Sequence, residues 1–153
     1  MTATDLPGYL TAHVDQFSND SAADIAAMEW IGANLPSCSR VLAATDSVGH
    51  LLPEFASVHL IATDAYVRNL SYNQTVDDLY SGIYDNSTRA AMLEIEVTEV
   101  LVTGRTSVSV PGFNPSPLEN STDFVELFHQ QDAWVFMFNP GVLITGCTVP
   151  LPP

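Results

Sequence analysis

The chain has 153 residues, which is enough for one domain with a single sizeable core. It carries 18 acidic and 4 basic residues, a formal net charge of −14, and every basic residue is an arginine. Without a basic patch, we expect no binding to nucleic acid or to an anionic membrane surface through the chain's own charge. Because 46% of the residues are hydrophobic, we expect a folded core rather than a disordered chain.

The first predicted element is a helix. Residues 1–18 are interpreted as a linker, and the helix begins at residues 19–21, with Ser21 and Asp24 spaced as a capping pair. Its apolar stripe is Ile25, Met28, Ile31 and Leu35. Trp30 lies nearly opposite that stripe, and Pro36 ends the helix.

Strands and helices then alternate along the chain. Strands are predicted at residues 40–45, 58–62, 99–103, 124–128 and 133–138. Further helices are predicted at residues 50–55, 75–84 and 88–95. A turn at residues 130–132 joins the last two strands as a hairpin. The order predicts an α/β fold with a mixed sheet of about five strands flanked by helices, closing with a C-terminal β-hairpin.

The predicted domain is single and spans residues 19–149. Residues 104–122, rich in Gly, Pro, Ser, Thr and Asn, form a long loop, and loops of this length are commonly functional or mobile. Residues 150–153 are interpreted as a tail. With a linker before the domain and prolines after it, we expect the domain to belong to a longer protein.

The acidity indicates a salt-rich environment. Eighteen carboxylates without a lysine form a surface that retains hydration water. Molar salt screens their mutual repulsion to a Debye length of about 3 Å. We interpret the chain as a protein of a halophile. The alternative is an ordinary acidic domain made lysine-free by GC-rich coding.

The two cysteines, Cys38 and Cys147, are far apart in the sequence. They fit one disulfide, which requires an oxidising compartment. They equally fit two buried thiols that act as small hydrophobic residues. Their spacing builds no metal site, and the four histidines never adopt a ligand spacing such as His-x3-His.

Asn-x-Ser/Thr occurs four times, at Asn69, Asn73, Asn86 and Asn120. Four such sequons in about fifty residues favour an extracytoplasmic, glycosylated domain. The structural alternative at one of them is that Asn86 or Ser87 caps the helix beginning near Thr88.

The sequence contains no catalytic or cofactor signature. The turn at residues 45–49 has neither a glycine-rich cradle nor a lysine, so it matches no nucleotide-binding motif. Glu94, Glu96 and Glu99 are interpreted as a solvated face rather than an acid–base pair. Arg68 and Arg105, in predicted loops of an acidic surface, are candidate contacts for an anionic headgroup or a partner's carboxylate.

Three stretches carry a resemblance to a known family. The first is residues 22–36 with the Trp-Ile-x-x-Asn-x-Pro pattern, followed by residues 41–42 and 49–55. The second is a helical segment running into the apolar strand at residues 97–102. The third is the hairpin of residues 124–128 and 134–138. Together they resemble the soluble C-terminal domain of GT-C-type polytopic membrane glycosyltransferases and of related multi-spanning membrane proteins.

The resemblance implies a location on the extracytoplasmic face of the cell membrane. The catalytic carboxylates of that family lie in loops between membrane helices, so none carries over to this chain, and no enzymatic activity is expected of this segment alone. The implied partners are the membrane-embedded part of the same protein and a lipid-linked sugar or its acceptor. Trp30 and the loop at residues 104–122 are candidate contacts with the membrane part. The alternative function is a free-standing secreted or cell-surface α/β binding module without enzymatic activity.

Overall fold

Five strands form one mixed sheet in the computed structural model, which describes residues 22–44, 51–63, 78–79, 82–103, 115–139, 141 and 147. The strands are β1 Arg40–Ala44, β2 His59–Thr63, β3 Glu99–Thr103, β4 Phe124–Gln130 and β5 Ala133–Phe138. Their order across the sheet is β2-β1-β3-β5-β4. β1 runs parallel to β2 and β3, whereas β5 is antiparallel to β3 and β4. The predicted α/β fold with a mixed sheet and a closing hairpin is confirmed.

The described helices are α1 Ala22–Asn34, α2 Leu52–Phe55, α3 Asn86–Glu94 and α4 Ser116–Glu119. α1 covers one face of the sheet, and α3 and α4 contribute to the apolar cluster on the other face. α2 and β2 each lie within two residues of their predicted bounds. None of the helices in the described part of the chain is long and apolar enough to cross a membrane.

The interior strands bury both of their faces. In β1, Val41 belongs to the cluster under α1, whereas Leu42 belongs to the cluster on the opposite face. In β3, Leu101 faces α1 while Val100 and Val102 face the other cluster. Successive side chains of a strand point to opposite faces, so a run of apolar residues fits a strand covered on both sides.

The buried face of α1 differs from the predicted stripe. Ala23, Asp24 and Ala27 are fully buried, together with the predicted Met28 and Ile31. Leu35 is buried as predicted, and Ile25 is only half-buried, although it packs against the same cluster as the rest of the predicted stripe. Small alanine side chains let α1 lie close to the sheet, which moves the buried face toward the positions they occupy.

Gly32 allows α2 to pack against α1. A Cβ atom at this position would lie 2.1 Å from the carbonyl oxygen of Phe55, far inside van der Waals contact. A backbone oxygen cannot swing aside as a flexible side chain can. The close approach of the two helices therefore requires glycine here.

α3 begins two residues before its predicted start. Asp85 is its N-cap, and the carboxylate of Asp85 accepts hydrogen bonds from the amide and the hydroxyl of Thr88, at 2.9 and 3.0 Å. Neither Asn86 nor Ser87 is the cap. The bond from the Thr88 amide, followed by the bond from its hydroxyl, lowers the pKa of Asp85 below its ordinary value.

The helix predicted for residues 75–84 does not reach Ile83 and Tyr84. The amides of Gly82 and Ile83 bond to the carbonyls of Leu79 and Asp78, the pattern that ends a helix. Gly82 has a φ of 80°, which glycine adopts at no steric cost. Ile83 is 47% exposed, so its predicted place in an apolar stripe is wrong.

The final hairpin closes through the two residues Gln131 and Asp132, as expected from the predicted turn. β4 extends two residues beyond its predicted end, and its pairing with β5 shifts register between Glu126 and Phe128. Within the predicted 104–122 loop, residues 116–119 form the short helix α4.

Candidate functional site

A disulfide between Cys38 and Cys147 lies where β1 and β3 begin. Its sulfur atoms are 2.09 Å apart, and it joins residues separated by 109 positions. The Cys147 Sγ lies 3.9 Å from the hydroxyl oxygen of Ser39. Of the two readings that the sequence leaves open, the structure contains the disulfide. It ties the segment beyond β5 to the residue that precedes Ser39 and the interior strand β1.

Glu99 is the first residue of β3 and has no exposed surface. Its Oε1 accepts a hydrogen bond from the Ser39 hydroxyl across 3.2 Å, and its Oε2 accepts one from the Thr98 hydroxyl. Burial raises the pKa of Glu99 to about 7, although the bonds from Thr98 and Ser39 favour the charged form. Its prediction as part of a solvated face is wrong, because Glu99 lies on the same face of β3 as Leu101, and that face is covered.

Arg40 ties β1 to the end of α3. Its Nη2 donates to the carbonyl oxygen of Ile95 at 3.0 Å, and its Nε donates to that of Glu96 at 3.2 Å. These are carbonyls at the helix C-terminus, where a cation is favoured. The Arg40 amide donates to the hydroxyl of Thr98 at 2.7 Å. The Arg40 guanidinium group therefore stabilises the fold by joining β1 to the end of α3.

A second polar cluster joins α3 to the start of β4. The Tyr84 hydroxyl donates to Oδ2 of Asp123 at 2.5 Å, and Arg89 Nε donates to the same oxygen at 3.2 Å. Burial, followed by the hydrogen bond and the charge of Asp123, raises the pKa of Tyr84 above its ordinary value. The Tyr84 ring meets Phe124 edge to face, with centroids 4.9 Å apart. The cluster fixes the entry into the closing hairpin.

Aromatic side chains join α1 to the hairpin at the surface. Trp30 is half-buried, and its ring centroid lies 5.9 Å from that of Phe128 on β4. His129 stacks on Trp134 at 4.7 Å, and its Nδ1 lies 3.6 Å from the Oε1 of Glu126. Of the predicted contact residues Trp30, Arg68 and Arg105, only Trp30 lies in the described ranges, and it is partly exposed and so available for a further contact.

A cleft of about 270 Å³ lies between α4 and β4. It is lined by Leu118, Glu119, Phe124, Glu126 and Phe136. Two carboxylates beside phenyl rings repel an anionic group. The cleft is therefore not suited to the phosphate of a lipid-linked sugar.

The predicted contact and modification residues are not gathered into one site. Asn86 and Asn120 are both exposed, one at the start of α3 and the other at the end of α4. Asn69, Asn73, Arg68 and Arg105 lie outside the described residues. Within the described ranges, no three His, Cys, Asp or Glu side chains are grouped so that they could hold a metal ion.

Sequence reasoning missed the partners of both polar clusters. Ser39 and Glu99 are 60 positions apart, and Tyr84 and Asp123 are 39 apart, so no local pattern links either pair. The one available signal was the position of Glu99 inside an apolar run. Comparisons of the chain with protein-family models, curated proteins and solved structures found no match. Function is therefore inferred from the residues themselves.

Proposed function

We propose that this chain is a non-catalytic extracytoplasmic domain of a multi-spanning membrane glycosyltransferase of a halophilic archaeon, one that uses a polyprenyl-linked sugar. The observation that carries the proposal is the disulfide between Cys38 and Cys147. Disulfides persist in oxidising compartments and are rare in the cytosol. The Cys38–Cys147 bond encloses most of the chain in one covalent loop, and its presence supports an extracytoplasmic location.

The buried polar groups support a structural rather than a catalytic role. Ser39 and Glu99 have no exposed surface, so a substrate cannot reach either side chain in the folded domain. Both arginines in the described ranges, Arg40 and Arg89, bond to groups of the fold itself. In the proposed protein, the catalytic groups belong to the membrane-embedded part.

Trp30 supports a contact with that membrane-embedded part. Its packing on Phe128 brings α1 and the closing hairpin together, and these elements contain two of the three stretches that carry the family resemblance. A net charge of −14 disfavours attachment to anionic lipid headgroups. A half-buried aromatic ring is better suited to a protein contact.

The coding sequence upstream of Met1 tests the proposal and separates it from its alternative. Several apolar segments of about 20 residues each support the membrane protein. A signal peptide followed directly by this domain supports the free-standing secreted or cell-surface binding module instead. Absence of any upstream coding sequence contradicts the membrane protein.

The role of the domain is tested in the full-length protein, in membranes supplied with a polyprenyl-linked sugar. Removing the domain is expected to lower sugar transfer, and Trp30→Ala is expected to lower it several-fold. Glu29→Ala is the matched control, because Glu29 is the exposed neighbour on the same helix. In the two point variants, resistance of Cys38 and Cys147 to thiol alkylation shows that the disulfide of the domain has formed. Full transfer without the domain contradicts the proposal.

A further inference from the structure

Of the two sequons that the structure describes, we propose that the one at Asn120 is N-glycosylated in the folded domain and that the one at Asn86 is closed to modification. The donor is a saccharide linked to a polyprenyl pyrophosphate, transferred by a separate oligosaccharyltransferase. This inference rests on the extracytoplasmic location in the proposed function, because the transferase and the acceptor must meet on the same side of the membrane.

The Asn120 sequon is open. Asn120 follows the last residue of α4 and is exposed, as is Thr122 two positions later. The Asn120 backbone amide donates to the carbonyl of Ser116 at 2.9 Å, so the backbone of Asn120 closes the end of α4. The Asp123 amide donates to the hydroxyl of the intervening Ser121 at 3.2 Å. The two residues that define the sequon, Asn120 and Thr122, are therefore both exposed to solvent.

The Asn86 sequon has the same residue types, but its threonine is buried. Asn86 is exposed, but the sequon lies in the first turn of α3. The Thr88 side chain is 2% exposed, and its hydroxyl donates to Asp85 Oδ1 at 3.0 Å. A transferase that engages this hydroxyl has to open the N-cap of α3 first. Exposure of the asparagine alone thus does not make the site available.

The proposed glycan transfer needs neither an oxidant nor a reductant. The Nδ2 of Asn120 forms a bond to C1 of the first sugar, and the bond between C1 and the pyrophosphate oxygen breaks. Polyprenyl pyrophosphate leaves with the electron pair, and the carboxamide nitrogen loses one proton to a base of the transferase. The product is a glycan joined to a surface turn through a neutral amide, so the linkage itself leaves the net charge of −14 unchanged.

The test uses the chain with Asn69→Gln and Asn73→Gln, so that the sequons at Asn86 and Asn120 remain. The folded, disulfide-bonded protein is incubated with a purified oligosaccharyltransferase and a polyprenyl-pyrophosphate-linked oligosaccharide. Intact mass is expected to show one glycan. That glycan is expected to be lost in Asn120→Gln and in Thr122→Ala, and retained in Thr122→Ser and in Asn86→Gln.

The reduced and unfolded chain is the control, and it is expected to receive glycans at both Asn86 and Asn120. A glycan at Asn86 on the folded chain overturns the proposal, as does a folded chain without a glycan at Asn120. The full-length protein from its own cells separates the two inferences. If Asn120 is modified in the purified reaction but bare in cells that glycosylate other surface proteins, the acceptor assignment stands and the extracytoplasmic location is contradicted.

Discussion

The Ser39 hydroxyl donates a hydrogen bond to Oε1 of Glu99 across 3.2 Å, between two residues that have no exposed surface. Ser39 directly follows Cys38, and Glu99 begins β3, so the bond links the disulfide region to the central part of the sheet. Because the carboxyl group of Glu99 is buried, the stability of the domain should depend on pH. Burying the charged form costs more free energy than burying the neutral form.

Glu99→Gln is expected to remove one pH dependence of stability. The pKa of Glu99 rises from 4.5 to about 7 on folding, so above pH 4.5 the unfolded chain binds fewer protons than the folded one. The free energy of unfolding therefore falls as pH rises through this window, by about 3 kcal/mol in total. Urea denaturation at several pH values measures the difference: the free energy of unfolding of the wild type should fall by this amount relative to that of Glu99→Gln over the same pH range.

Glu119→Gln is the control for Glu99, because it removes an exposed carboxylate. Its pH dependence is expected to follow that of the wild type. Parallel curves for the wild type and Glu99→Gln would contradict the assignment of a raised pKa to Glu99.

Replacing both cysteines by alanine is expected to destabilise the domain. The Cys38–Cys147 bond closes a loop with a sequence separation of 109. Its loss restores conformational freedom to the unfolded chain and is expected to cost about 2–5 kcal/mol. The urea midpoint measures this loss. Dithiothreitol should lower the urea midpoint of the wild type to that of the variant and leave the midpoint of the variant unchanged. A wild-type midpoint that is the same with and without dithiothreitol would contradict the prediction.

Gly32→Ala is expected to destabilise the domain, although alanine is the better helix former. The added methyl group meets the Phe55 carbonyl oxygen, so α1 and α2 have to separate. We expect a loss of about 1–3 kcal/mol from the overpacked contact. Ala33→Gly at the next, exposed position calibrates helix propensity and should cost about 1 kcal/mol. Thermal denaturation measures both, and a more stable Gly32→Ala protein would contradict the close approach.

Tyr84→Phe is expected to cost about 1–2 kcal/mol, because it removes a hydrogen bond to the charged acceptor Asp123. The effect should depend on Asp123. In a double-mutant cycle with Asp123→Ala, the two substitutions are expected to be non-additive by about 1 kcal/mol or more. Urea denaturation of the four proteins provides the cycle. Additive losses would show that the pair does not act as a unit.

Salt is expected to stabilise the domain. At a net charge of −14, screening of self-repulsion favours the folded state, so the denaturation midpoint should rise between low salt and about 2 M KCl. Glu94, Glu119 and Asp132 are exposed, and replacing all three by lysine should flatten this rise. A wild-type midpoint that stays constant with KCl would contradict the halophilic interpretation.

Strong local patterns predicted several elements well. The apolar runs predicted β3 at residues 99–103 and β5 at residues 133–138, and the structure has the same bounds. Helix ends were less predictable, because competing caps lie close together in this sequence. Asp85 rather than Asn86 or Ser87 begins α3, and Gly82 ends the preceding helical pattern before Ile83.

The candidate site was predicted less completely than the fold. The sequence identified Cys38, Cys147, Trp30 and four sequons as residues of interest, each by its chemical type. It could not predict that Trp30 meets Phe128, since those residues come from different elements. Nor could it distinguish Asn120 from Asn86, because both satisfy the same three-residue motif.

By itself, the sequence determined the charge, the alternation of helices and strands and the presence of two thiols, because these follow from composition and local periodicity. Only the tertiary structure decided that Cys38 bonds to Cys147, that Glu99 is buried beside Ser39 and that Thr88 is engaged while Thr122 is open. These outcomes depend on contacts between residues distant in the chain or on the burial of one hydroxyl. Neither is specified by a short stretch of residue types.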